Sequence, residues 1–295
     1  MSISIKDYQT EDLIKCPLCS SFKTSFIYRN VVDFTFENVK GEWQYAKCNA
    51  CKSIYAKKRI KEEFIGSAYD SYYTHENSTS RNGRFIDQLK KIVAIKQEKR
   101  QRSFTDKLIY KLKKLLNYSY PYFEIIDNQY GTVLDVGCGT GELLQRLKLN
   151  GFKTLGLEQD ENAVLRARKN DLDIIHGSFL DLKELNQTFD YVVVSHVIEH
   201  VYDTTEFMNV MYSMITKGGK IFLSLPCSNS LMLKLFKSRW RGLEAPRHII
   251  IPSKEWFLEW SLINNCEIDI SYSPVCTFWG SLLSFKYLPI VIVAT

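Results

Sequence analysis

From residue 131 to about 225, short apolar runs alternate with stretches of helical spacing. "TVLDVG", "KTLGLEQ", "LDIIHGS", "FDYVVVS" and "KIFLSLP" read as strands: each is rich in β-branched or other apolar residues and bounded by glycine or polar breaks. "GELLQRLKLNG", "DENAVLRARKN" and "DTTEFMNVMYSMITKGG" repeat apolar residues three and four apart and read as helices. The first stops at Gly151. The third opens with Asp203 and Glu206 at capping-box spacing and is expected to close at Gly218-Gly219. This alternation predicts an α/β fold: a mostly parallel sheet, helices on both faces, and ligands bound beyond the carboxyl ends of the strands.

The first sixty residues follow another pattern. "KTSFIYRNVVDFTFENVKGEWQYA" alternates apolar and polar positions around a break at Gly41, which predicts strand, turn, strand. A C-x-x-C pair flanks each end: Cys16/Cys19 and Cys48/Cys51. Two such knuckles joined by a β segment describe a four-cysteine zinc ribbon. Thiolates suit Zn²⁺, and four of them close the site, so its expected role is structural. Residues 61–125 are expected to form a helical cap or linker. Within it, residues 81–116 carry helical stripes such as Phe85, Leu89, Ile92 and Val93. Between Arg81 and Lys114, twelve Lys/Arg face three Asp/Glu. That is a solvated helix face or a patch for peripheral membrane contact. The C-terminal "TFWGSLLSFKYLPIVIVAT" is interrupted by Lys286 and Pro289, and its end reads as a buried strand.

The 295 residues, 45% hydrophobic and 24% charged, are enough for a sizeable globular core. The net charge of +6 permits an anionic partner without requiring one. The N-terminus "MSISIKDYQTEDL" has no apolar core of a secretion signal, so a cytoplasmic, disulfide-free protein is expected.

"VLDVGCGTGELL" places Gly137, Gly139 and Gly141 in the turn between the first strand of the sheet and a helix. Glycine permits positive φ and close backbone approach, and the helix start offers free N–H groups to an anion. Glu158 ends the next strand, where an acid accepts hydrogen bonds from ribose hydroxyls. No Gly-Lys-Ser/Thr follows, which excludes a P-loop.

"LDVGCGTG" closely resembles motif I of class I S-adenosylmethionine (SAM)-dependent methyltransferases. "GLEQD" is similar to their ribose-binding motif, and "HGSFLDL" to their adenine segment, with Ser178 where aspartate is common. "FDYVVVSHVIEHVYD" and "ITKGGKIFLSLP" resemble the fourth-strand motif and the entry to the fifth strand. The resemblance covers about residues 120–295. It implies a Rossmann-like, seven-stranded methyltransferase domain over 126–295, with a substrate-covering insertion near 227–252. It also implies SAM as cofactor, contacted by Asp135, Gly137, Gly139, Gly141, Glu158, Ser178, Phe179 and Ser195. The ribbon, "YDSYY" and "SRWRGLEAPRHIIIPSKEWF" further resemble a bacterial subgroup associated with surface-polysaccharide or glycoconjugate biosynthesis.

The segment "HVIEH" is open to three readings. H-x-x-E-H is a zinc-hydrolase signature, but that chemistry needs a regular helix, a third ligand and an open position. The second reading is structural: Glu199 and His200 fix a turn. The third comes from a resemblance to the E-x-x-E-H segment of ubiquinone-pathway O-methyltransferases and small-RNA 2′-O-methyltransferases. It implies a divalent ion on Glu199, His200 and the later His248, with His196 in place of the first acid. A histidine there favours a softer ion than Mg²⁺. His196, His200 and His248 are also the candidate catalytic bases. His176 is expected to be a packing residue. In the insertion, Arg239, Trp240, Arg241 and Arg247 are either a site for a phosphate-bearing acceptor or ordinary basic surface.

The expected activity is methyl transfer to a small-molecule or carbohydrate-containing acceptor, with oxygen as the expected methylated atom. RNA methylation is the alternative enzyme class, disfavoured by the modest charge. A SAM-binding partner protein without turnover is the non-enzymatic alternative.

Overall fold

The computed structural model describes residues 3–4, 9–34, 36–37, 39–69 and 130–270. The basic helix expected over 81–116, the rest of the cap beyond Tyr69, and the C-terminal strand lie outside the described residues.

Among the described residues, five parallel strands form the main sheet: β8 (Thr132–Val136), β9 (Lys153–Glu158), β10 (Ile174–His176), β11 (Phe189–Ser195) and β12 (Ile215–Ser224). Their spatial order is β10-β9-β8-β11-β12. The order reverses between β8 and β11, the place where parallel α/β sheets open a ligand crevice. Helices α1 (Glu142–Leu149), α2 (Glu161–Lys169) and α3 (Thr204–Ser213) link the strands. The α1 helix turns Leu143, Leu144 and Leu147 inward, the spacing of one helical face.

Caps mark the helix starts. Asp160 accepts from Asn162 and Ala163 N–H ahead of α2, and Asp203 accepts from Glu206 N–H ahead of α3. The α3 helix ends at Ser213, earlier than Gly218-Gly219. The β-branched Ile215 and Thr216 already belong to β12, and Ile215 pairs with Phe189. The two glycines instead lie in an irregular stretch of that strand, where Tyr191 next pairs with Lys220.

The N-terminal segment folds as an antiparallel sheet of β3 (Thr24–Val31), β5 (Trp43–Cys48) and β6 (Ile54–Ala56). A two-stranded pair, β2 (Thr10–Asp12) with β7 (Lys58–Ile60), flanks it. Short β1 (Ile3–Ser4) and β4 (Val39–Lys40) pair in parallel. The fourth strand of the ribbon sheet comes from far along the chain: β13 (Ile250–Ile251), in the insertion, pairs antiparallel with β6. The insertion also holds α4 (Leu231–Phe236), and α5 (Lys254–Ile263) follows it.

Two apolar clusters record this joining. Leu134, Val136, Val192 and Val194 of the main sheet and Phe207 and Met211 of α3 share a core with Tyr55 of the ribbon and Trp256 of α5. Val31, Trp43, Tyr45 and Ile54 of the ribbon share another with Leu233, Phe236, Trp240 and Leu243 of the insertion. Burying such side chains stabilises by about 1.5–3 kcal/mol each. The ribbon is thus bound to the insertion by core packing as well as strand pairing.

Candidate active site

The turn after β8 adopts the geometry its glycines allow. Gly137, Gly139 and Gly141 all have positive φ, at 71°, 55° and 79°. At Gly137 a Cβ would stand 2.4 Å from Val197 Cγ2, so a larger residue is excluded by space as well as by backbone. Gly141 starts α1 with no side-chain cap, unlike Asp160 at α2 and Asp203 at α3. The first N–H groups of α1 therefore await a partner other than a capping side chain.

Glu158, at the end of β9, accepts from Gly139 N–H at 2.8 Å through Oε2. Its Oε1 accepts from Gln159 and Asp160 N–H at 2.8 and 2.9 Å. The carboxylate thus ties the glycine loop to the next strand at the switch point. Asp135 is buried one strand away, and burial followed by the nearby Glu158 charge pushes its carboxyl up to about 8. A ligand cation placed here would favour its ionised form. Ser178 caps the short helix at Phe179–Glu184, and Asp181 returns the bond to Ser178 N–H and Oγ. Phe179 packs edge-to-face on Phe207, with centroids 5.2 Å apart. Ser195 ends β11 opposite Ser224. His176, expected to pack, is exposed and contacts Gln159 O at 3.1 Å.

Immediately after β11, "HVIEH" forms a turn and a single 3-10 turn, Ile198–His200, rather than a regular helix. That removes the helical frame a zinc hydrolase needs. His196 has φ 55°, a conformation unusual for a non-glycine residue. Its Nδ1 lies 3.1 Å from Oε1 of the fully buried Glu199. Surrounding protein opposes charging of His196, but the bond and charge of Glu199 outweigh this and raise its pKa. Glu199 is held down at about 2: burial opposes ionisation, and the bond from His196 with the charge of that ring overcomes it.

The second oxygen of Glu199, Oε2, has no hydrogen-bond partner among the described residues. A buried carboxylate oxygen without a partner is costly. One donor atom each of Glu199, His200 and His248 lies within 4.8 Å of the others. A backbone carbonyl faces Nδ1 of each histidine. His200 Nδ1 lies 3.1 Å from Arg247 O, and His248 Nδ1 lies 2.9 Å from Gly242 O. Gly242 O can only accept, so His248 Nδ1 is the donor there and its Nε2 is the atom turned to the cluster, as in a metal-bound imidazole. Tyr69 Oη adds a contact to His200 Nδ1 at 2.9 Å. Burial first, then the His248 charge, lowers the His200 pKa to about 4, so its ring is neutral at pH 7. An orphaned carboxylate oxygen and two imidazoles within reach of one another fit a divalent cation.

His248 reaches this cluster because the ribbon grips the insertion. Tyr45 Oη donates toward Leu243 O and His248 O at 2.9 and 2.8 Å. Ser253 N–H donates to Ser53 Oγ at 3.0 Å, and Ser253 Oγ donates to Cys51 O. Arg247, expected to contact substrate, is instead fully buried. It bonds Asp33 Oδ1 at 2.8 Å and Ala68 O at 3.3 Å, and lies over the Phe36 ring at 4.6 Å. It is a tie between insertion and ribbon. Trp240 is corrected likewise: it is buried in the ribbon-side core. Arg239 stays exposed on the surface of the insertion. Sequence reasoning missed Tyr69, Asp33 and Glu244 at this site. Nothing local marks them, because their contacts depend on how the ribbon docks.

At the ribbon tip, Cys16 and Cys51 sulfurs are 3.7 Å apart and Cys19 and Cys48 sulfurs 3.4 Å apart. All four lie within 4.8 Å of one another. Four sulfurs each ~2.3 Å from a tetrahedral zinc stand about 3.8 Å apart. The shared Cys16–Cys51 bond pulls the Cys51 thiol down to about 5, so one member of the cluster is already thiolate-like.

A parallel sheet with a glycine loop and an acid at its switch point defines a nucleotide-type α/β protein. The chain belongs to the family described as "Methyltransferase domain", whose profile matches residues 97–272. Among similar proteins, an "Uncharacterized methyltransferase" of Staphylococcus carnosus is 32% identical over 112 residues, covering 37% of this chain and 53% of that protein. A "Ubiquinone biosynthesis O-methyltransferase" of Pseudomonas putida is 25% identical over 162 residues, covering 48% and 69%. The solved magnesium protoporphyrin IX methyltransferase of Synechocystis, with bound SAH, is 18% identical with a TM-score of 0.45, covering 70% of this chain and 94% of that one. The chain spans about half or less of the length of the first curated relatives it matches. Among the described residues, no helix is long and apolar enough to cross a membrane.

Proposed function

We propose that this protein transfers the methyl group of SAM to a hydroxyl of a small-molecule or carbohydrate-containing acceptor. The observation that carries the reading is the placement of two chemistries across one switch point. The glycine loop and Glu158 lie after β8 and β9, and Glu199, His200 and His248 gather beyond neighbouring β11. In this reading Asp135, Gly137, Gly139, Gly141, Glu158, Ser178, Phe179 and Ser195 surround SAM. The division into a ribbon (1–60), a cap (61–125) and a methyltransferase domain (126–295) belongs to the same proposal, as does zinc on Cys16, Cys19, Cys48 and Cys51.

SAM carries the reactive methyl, so the protein has to align donor and acceptor and remove a proton. In this reading His196, exposed and paired with Glu199, serves as the base. Glu199, His200 and His248 would hold a divalent ion, which when bound lowers the pKa of an acceptor hydroxyl. The similarity to a ubiquinone-pathway O-methyltransferase supports oxygen as the methylated atom. The subgroup resemblance of the ribbon and insertion supports a glycoconjugate acceptor. The test is transfer of labelled methyl from SAM to nucleotide-sugars, glycolipids and RNA in parallel. Label on a sugar-bearing hydroxyl is expected. Label on RNA alone would overturn the acceptor class, and no SAM binding at all would overturn the cofactor.

A further inference from the structure

One end of the ribbon exposes large apolar side chains beside cations. Ile14 is 72% exposed and is followed by exposed Lys15; Phe22 is 71% exposed and is followed by exposed Lys23. Single exposed apolar residues are common on protein surfaces, but these two flank one turn. We propose that this first cysteine knuckle docks on an anionic lipid surface, with Ile14 and Phe22 entering the headgroup boundary and Lys15, Lys23 and Lys52 facing lipid phosphates.

Three observations carry it. The first is placement. Cys16 N–H donates to Ser21 O at 2.9 Å and closes the knuckle at its base. The two legs of the turn, Ile14-Lys15 and Phe22-Lys23, therefore leave it side by side. Asn49 N–H donates to Lys23 O at 2.7 Å, which sets the second knuckle, with exposed Lys52, against the first. Lys52 Nζ donates to Asn49 O at 2.6 Å, so its charge is held at the same end. These bonds fix the backbone beneath the patch, and little ordering is left to be done on binding.

The second is charge. Residues 13–32 and 43–61 carry nine Lys/Arg and no Asp/Glu. Arg59 is matched by Glu11 at 2.7 Å, but that pair lies on the β2–β7 strands and not at the knuckles. Such a field complements an anionic surface and repels a basic one. The third is the kind of apolar group. The Arg29 guanidinium lies 4.8 Å from the ring centre of Phe26, so that ring is covered on one face. Ile14 has no π face. Among the described residues of this end, only Phe22 then offers an open ring, whereas single-stranded nucleic acid needs a platform for successive bases. An aliphatic and an aromatic side chain, each next to a lysine, instead match the headgroup boundary of a bilayer, where apolar groups enter and lysines reach phosphate.

The experiment sediments the full chain with vesicles of phosphatidylcholine alone or with one-third phosphatidylglycerol, and titrates it in parallel with a single-stranded RNA oligomer. Wild type is expected to bind the anionic vesicles, more weakly as salt is raised, and to leave the neutral ones. Ile14→Ser with Phe22→Ser, and separately Lys15→Gln with Lys23→Gln, should each weaken vesicle binding more than about tenfold. All four positions are exposed, and circular dichroism with thermal melting reports folding. Undiminished binding in either folded variant would assign the contact to another surface, the basic stretch 81–116 included, and overturn the proposal. Absence of vesicle binding in wild type would overturn it too, and RNA binding lost in the lysine variant would then identify nucleic acid as the partner. Neither SAM nor an acceptor is present, so the result is independent of the proposed methyl transfer.

Discussion

The two sides of the switch point are built in opposite ways. On one side the glycine loop, Asp135 and Glu158 come from adjacent strands within 24 residues, and their contacts stay within the main sheet. On the other, Glu199 and His200 meet His248 from about fifty residues later, in a segment gripped by Tyr45, Ser53 and Asp33 of the ribbon. The first side needs only its own βαβ unit. The second exists only when a third region docks. The difference teaches that the ribbon is a scaffold for the Glu199–His200–His248 cluster.

Removing the ribbon's staple is the strongest way to break this comparison. On the proposed zinc assignment, Cys48→Ser should cost the ribbon its metal and with it the placement of His248, because Cys51 and Ser53 hold Ser253. Methyl transfer is expected to vanish while SAM binding, measured by calorimetry, persists. Loss of both together would show that the two sides depend on the ribbon alike.

A smaller effect is expected from the buried tie. Arg247→Met leaves Asp33 buried without its cation and should destabilise the protein by about 3–5 kcal/mol in denaturant unfolding. Asp33→Asn with Arg247→Met should cost less than the sum of the two single changes. Strict additivity would mean that the 2.8 Å contact contributes nothing of its own.

The effect that is smallest over any single pH unit belongs to the donor side. Asp135 has a folded pKa of about 8 against an ordinary value of 3.8, so the native state binds the extra proton between those values. Its contribution to stability is present below the unfolded pKa and lost as pH rises through the folded one. For the SAM-free protein this gives a decline of at most about 1.4 kcal/mol per pH unit between roughly pH 4 and 8. Melting curves of Asp135→Asn should lack that component; an unchanged pH profile would remove Asp135 as its source.

The same contrast governs what could be read from the chain. The strands of the main sheet, the glycine loop and Glu158 follow from local periodicity and turn chemistry, as do the two C-x-x-C pairs. The end of α3 is harder to read, because Gly218-Gly219 signals a stop while the pairing of Ile215 with Phe189 begins the strand sooner. Arg247 and Trp240 look like exposed recognition residues in "SRWRGLEAPRH", and only docking of the ribbon buries them. Glu244 and Tyr69 carry no local mark, since each acquires its neighbours from elements distant in sequence.

The pairing of β13 with β6 also has a consequence during synthesis. Ile54 is made 197 residues before its partner Ile251. At ~5–20 residues per second, roughly 10–40 s separate their emergence from the ribosome. For that interval one side of β6 is an open strand edge, able to accept another chain. Translation speed through the stretch between them therefore sets how long the nascent protein is exposed to mispairing.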